Sequence, residues 1–190
     1  ALELLELGRT LSKSEGNRPE EYLANEYLVL IEFDRGDYAA AQDQCRGLVA
    51  IGERIREGSE GPFAVVMEAV CGYGQGAVAE TLNAKLDALR LVDAKQRLAV
   101  ALNRIALLDV QRQCYAQAAE RAQEALSLAS TMGIPSEMLQ AYITLHQIHL
   151  SDPGGAAEPQ HDSLKKSLAG PAAAHVRTRA EQLLQGQGVS

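Results

Sequence analysis

Turn punctuation cuts this 190-residue chain into segments of helical length, and those segments recur at nearly equal steps. Asn17-Arg18-Pro19-Glu20 is a capping box, in which Asn17 accepts an orphan amide hydrogen while Glu20 reaches back toward it, so a helix is predicted to start there. Asp34-Arg35-Gly36-Asp37 predicts a turn, since Gly36 tolerates the left-handed conformation that ends a helix and Asp37 can cap the next. From Tyr38 to about Ile55 the residues Ala41, Cys45, Leu48, Val49, Ile51 and Gly52 keep small or apolar groups on one helical face. Gly58 to Pro62 ends that segment. Phe63, Val66, Met67 and Val70 resume the spacing until Gly72, Gly74 and Gly76, and Leu82, Leu86 and Leu89 carry a helix from Val78 to Val92. Asp93 with Gln96 repeats the capping arrangement ahead of Leu98, Leu102, Ile105 and Ala106. Gln113-Cys114 predicts a short turn without glycine, followed by a helix from Tyr115 to Ser130 whose Ala118, Ala122, Ala125 and Ala129 admit a close neighbour. Another helix is predicted from Glu137 to Leu150, then an irregular loop or short helix over 151–170. A last helix over 171–186 is expected to begin with Pro171 at its first position, and the tail from Gly186 to Ser190 to fray.

Composition narrows the class. Apolar residues make up 46 % of the chain, enough buried surface to offset the entropy of ordering, so wholesale disorder is excluded. Aromatics are only 4 %, which suits closely packed helices better than a sheet. A net charge of −7 argues against a protein that neutralises phosphates, so no direct contact with nucleic acid is expected. No apolar run approaches the roughly eighteen residues of a membrane span, and no secretion signal opens the chain, so a cytoplasmic protein without membrane contact is the expectation. Cys45, Cys71 and Cys114 are odd in number and form no CxxC, which predicts reduced thiols and neither a disulfide framework nor a zinc site. Leu2, Leu4, Leu5, Leu7 and Leu11 begin an apolar-rich run with no cap ahead of it, as in a piece cut from a longer protein.

The repeat is sharper than its punctuation. Asn25, Phe63, Leu102 and Tyr142 stand 38, 39 and 40 residues apart, and Leu28 with Val29, Val66 with Met67, Ile105 with Ala106, and Leu145 with His146 keep the same register. Gly36-Asp37-Tyr38 aligns with Gln113-Cys114-Tyr115, and Ala41 with Ala118. This signature, with Ala122, Ala125 and Leu126 behind it, resembles the tetratricopeptide repeat over roughly Glu20 to Leu150. The steps exceed the family's usual length of about 34, and Asn25 stands where a large residue belongs. The lengthened repeats are similar to the helical arms attached to bacterial signal-transduction ATPases and multidomain transcription regulators.

The resemblance implies an all-α fold: a solenoid of antiparallel helix pairs over residues 1–150, about four repeats plus terminal helices, with 171–186 packing on or capping it. It implies a non-catalytic module, part of a larger bacterial regulatory protein, that binds protein or peptide through a concave groove and needs no cofactor. The family's groove positions fall on Leu23, Glu26, Leu30 and Phe33, then on Ala64, Glu68 and Cys71. They continue on Val100, Asn103, Leu107 and Val110, and on Gln140, Ile143, Gln147 and Leu150, a mostly apolar lining suited to an amphipathic helix or an extended apolar peptide. Packing of these residues against another domain of the parent chain, or against a second copy in a homodimer, is the plainer reading. A further alternative is a small-ligand sensor arm that changes curvature to control an attached effector domain, with Glu26, Glu68 and Asn103 as its polar residues.

Other constellations carry less. His146 and His149 share a helical face, but no acid or thiol stands at companion spacing, so no metal site is assigned. Gly72-Tyr73-Gly74-Gln75-Gly76 lacks the preceding strand and following Lys of a phosphate loop, and no serine sits in a nucleophile elbow. Arg97, Arg104, Arg112 and Arg121 read as a solvated face, His161 and His175 as surface, and Cys114 as more exposed than Cys45.

Overall fold

The computed structural model describes residues 2–55, 58–155 and 157–186, and all regular structure among them is helical. Two compact units, Ala1–Ala94 and Lys95–Ser190, divide the chain. The first holds α1 (Leu2–Glu15), α2 (Arg18–Asp34), α3 (Tyr38–Gly52), α4 (Glu60–Gly74) and α5 (Ala79–Leu91). The second holds α6 (Lys95–Gln111), α7 (Tyr115–Met132), α8 (Pro135–Ser151), α9 (His161–Leu168) and α10 (Ala174–Leu184). Each helix of the first unit packs on the next in sequence, in antiparallel pairs, and α2 also meets α4. In the second unit α7 and α8 follow α6 in the same way, α8 lies against α6, and α9 and α10 rest on α8.

Local chemistry explains the boundaries. Asn17 accepts the Glu20 amide hydrogen at 3.4 Å, and Asp37 that of Ala40 at 2.9 Å, so these two predicted caps form, whereas Asp93 is left-handed at φ 50° and stands two residues ahead of α6, outside the cap position predicted for it. Five helices end in one shared motif, in which an amide bonds the carbonyl five residues back: Asn17 to Ser12, Asp37 to Glu32, Ala77 to Gly72, Cys114 to Asp109 and Ile134 to Ala129. The residue before each of those amides is left-handed. Four of them are Gly16, Gly36, Gly76 and Gly133, and the fifth is Gln113 at φ 60°. An L side chain resists that conformation, so Gln113→Gly should raise the unfolding free energy by roughly 0.5–1 kcal/mol, read as a shifted urea midpoint at unchanged slope.

The register of the repeat is also the register of burial. Leu28, Val66, Ile105 and Leu145 are all buried, as are Val29, Met67, Ala106 and His146 in the adjoining position. Ala41 and Ala118, aligned from the turns, are both fully buried. Gly74, inside α4, gives the Tyr38 ring its seat: a Cβ there would lie 2.7 Å from the ring, which also leans on Phe33 at 5.0 Å between centroids. In the second unit Ala106, Ala118, Ala119 and Ala122 join Leu145 and Ile148 in one core, while Leu139, Ile143, Leu164, Val176, Ala180 and Leu183 join α8 to α9 and α10 in another.

Several boundaries differ from expectation. α3 stops at Gly52, three residues short of Ile55, and α4 takes in Glu60, Gly61 and Pro62, which were expected to be loop. The region 151–170, expected as an irregular loop or a short helix, contains the short helix α9. Pro171 does not open the last helix: α10 starts at Ala174, because the Ala173 amide is held extended by a 2.9 Å bond to the Ser136 hydroxyl. Of the tail expected to fray, 187–190 lie outside the described residues.

Candidate functional site

Polar side chains converge on α8. Glu137, Gln140, Thr144 and Gln147 follow one another at three- and four-residue steps, so they form a stripe on a single helical face. Glu137 sits in the first turn of α8, where a negative charge complements the helix dipole. The Asn103 amide of α6 donates to both the Glu137 carbonyl at 2.9 Å and its Oε2 at 2.8 Å. Arg104 donates to the Val100 carbonyl at 3.2 Å and lies 3.8 Å from Glu137 Oε1. Farther along the stripe, Thr144 donates to the Gln140 carbonyl at 3.1 Å, and Arg179 of α10 donates to Gln147 Oε1 at 3.1 Å. These bonds place α6, α8 and α10 side by side around one polar seam.

The seam is incompletely satisfied. Asn103 Oδ1 and Gln140 Nε2 are buried without a hydrogen-bond partner. One is an acceptor, the other a donor, and leaving either unmade costs about 1–3 kcal/mol.

The groove positions drawn from the repeat resemblance divide sharply by burial. Phe33, Ala64, Cys71, Val100, Asn103 and Ile143 are buried in the chain's own packing. Glu26, Leu30, Glu68, Leu107, Val110, Gln140 and Gln147 are half-buried, and Leu23 and Leu150 are exposed. Among Val100, Asn103, Gln140 and Ile143 the buried apolar members serve the core, and the polar ones form the seam. Val110 turns toward the α7 core. The structure brings Asn103 together with Gln140's neighbour Glu137, a residue that sequence reasoning left out of the site.

The arginine reading needs correction. Arg104 is buried, and Arg121 is largely so, in an ion pair with the buried Asp109. Neither belongs to a solvated face, because their carboxylate partners lie on other helices. Cys45 and Cys71, 26 residues apart, meet across α3 and α4 with sulfurs at 3.9 Å, both fully buried. The hydrogen bond shared with Cys71, and then burial, push the Cys45 thiol up, which keeps it protonated and unreactive. Cys114 is half-buried.

His146 packs between His149 and His161, with ring centroids 6.5 and 6.0 Å away, and its Nδ1 takes the Gln160 amide at 3.4 Å. Burial, and after it the His161 and His149 rings, hold His146 below the ordinary histidine value of 6.5. Below that pH the unfolded chain binds a proton that folded His146 resists, so stability is full above it and falls as pH drops toward the lowered folded value. Urea midpoints measured between neutrality and mild acid should show this decline, and His146→Gln should flatten it.

Among the described residues no three His, Cys, Asp or Glu side chains form a group that could hold a metal ion, and no helix is long and apolar enough to cross a membrane. No family model matches the chain, and neither a curated protein nor a solved structure matches it.

Proposed function

We propose that the chain is a non-catalytic interaction module, built of tetratricopeptide-like helix pairs of the solenoid type, that receives an extended polypeptide along α8 between α6 and α10. The observation that carries this reading is the unmade donor Gln140 Nε2 on a half-buried side chain. Gln140 is only half-buried, so its amide can turn outward and donate to a C=O of the peptide, while Asn103 stays within the chain's own packing.

The test is selection of peptides from a random extended library on the immobilised chain, followed by anisotropy titration and amide chemical-shift mapping. Selected peptides should perturb α6, α8 and α10, and should lose roughly tenfold in affinity against Gln140→Leu at unchanged helicity. Peptides that map elsewhere, or that bind Gln140→Leu equally well, would refute the reading.

A further inference from the structure

A cleft of about 510 Å³ lies in the first unit, walled by α1, α2 and α3. Its origin is visible in the repeat. Where the other copies carry Phe63, Leu102 and Tyr142, this one carries Asn25, and Gly47 faces it from α3: a Cβ on Gly47 would lie 3.9 Å from Asn25 Oδ1. Two truncated side chains opposite one another leave the space unfilled.

The walls are chemically specific. Asn25 is only 5 % exposed, and its amide nitrogen is committed to the Glu21 carbonyl at 2.7 Å. Its Oδ1 faces Gly47 and takes no hydrogen bond among the described residues. Lys13 and Arg54 reach the cleft from α1 and from the turn after α3 as exposed cations. Arg9 is held against Glu6 and Gln44, and Asp43 is paired with Arg46, so those charges are already spent. Two cations, one carboxylate (Glu21) and the Asn25 side-chain carbonyl therefore remain, beside an apolar wall of Ala50 and Ile51.

We infer that this cleft binds a small amino-acid-type zwitterion with an uncharged side chain. The ligand carboxylate meets Lys13 and Arg54, its ammonium meets Glu21 and Asn25 Oδ1, and its side chain lies on Ala50 and Ile51. A simple amine gains nothing from the two cations, and a phosphate dianion meets the Glu21 carboxylate as a like charge. This site is separate from the α8 seam, and it gives the sensor-arm reading a ligand without touching the docking reading.

The experiment is saturation-transfer NMR on the full chain with the pooled common amino acids, then calorimetric titration of each hit. Amines and carboxylic acids lacking one of the two charges, and inorganic phosphate, form the control arms. At least one amino acid with an uncharged side chain should bind saturably, and its affinity should fall roughly tenfold or more in Asn25→Leu and in Arg54→Glu. Asn25→Leu refills the cleft, so its melting temperature should match or exceed that of the parent chain. If it fails to fold, the exposed Lys13→Glu and Arg54→Glu decide. Absence of any saturable amino acid, equal binding of phosphate or of the one-charge controls, or undiminished binding by these variants would each overturn the assignment.

Discussion

Asp109→Ala lowers the unfolding free energy of the Lys95–Ser190 unit by roughly 3–5 kcal/mol. Asp109 is 1 % exposed on α6 and pairs with Arg121 of α7, itself mostly out of water. Removing the carboxylate leaves a guanidinium in a site too dry to solvate it, and that uncompensated charge, more than the lost attraction, sets the size of the effect. Two companion variants separate the causes. Arg121→Met alone strands the carboxylate and should cost a comparable amount, whereas Asp109→Leu with Arg121→Met should return to within about 1–2 kcal/mol of the parent chain. Denaturant titration followed by circular dichroism measures all three. A double variant as unstable as either single one would mean that the two residues act through other partners.

Ala122→Trp is the second large effect. Ala122 is fully buried in the core that joins α6, α7 and α8, among Ala106, Ala118 and Ala119. Small side chains there bring the helix axes together, and no rotamer of an indole fits without driving α7 off its neighbours. A loss of at least roughly 3 kcal/mol is expected, with hydrogen-exchange protection collapsing across α7 and α8. Gln123→Trp, one residue along on the exposed face, is the control and should change stability by less than about 0.5 kcal/mol. Similar losses from both variants would show that α7 does not depend on close approach.

What could be read from the sequence was what neighbouring residues decide among themselves. The caps at Asn17 and Asp37, the turn at Gly36, and the alignment of Ala41 with Ala118 all rest on interactions within a few residues, and each is found where the local chemistry puts it. The site was less legible because its partners are distant. Asn103 finds Glu137 at 34 residues' separation, and Cys45 finds Cys71 at 26, distances over which no spacing rule operates. Arg104 and Arg121 looked like surface charges because a helix segment does not announce which of its polar faces will meet another helix. Pro171 misled for the same reason: its preference for a first helical turn is weaker than the tie between Ala173 and Ser136, 37 residues apart. The cleft beside Asn25 lay between these cases. The missing large residue was plain in the register, but the answering Gly47 became meaningful only once α3 was seen to lie opposite.

The repeated left-handed helix endings bear on how the chain can change length. Between α2 and α3 only residues 35–37 intervene, and between α6 and α7 only 112–114, with every amide in the reversal already assigned an acceptor. An inserted residue at either point has no slack to absorb it. It must join a helix, swinging everything beyond it by about 100° and exchanging the oily side for the wet one, or else undo the reversal. Growth and shrinkage of this architecture are therefore quantised: whole pairs can be gained or lost, but single residues at these corners cannot.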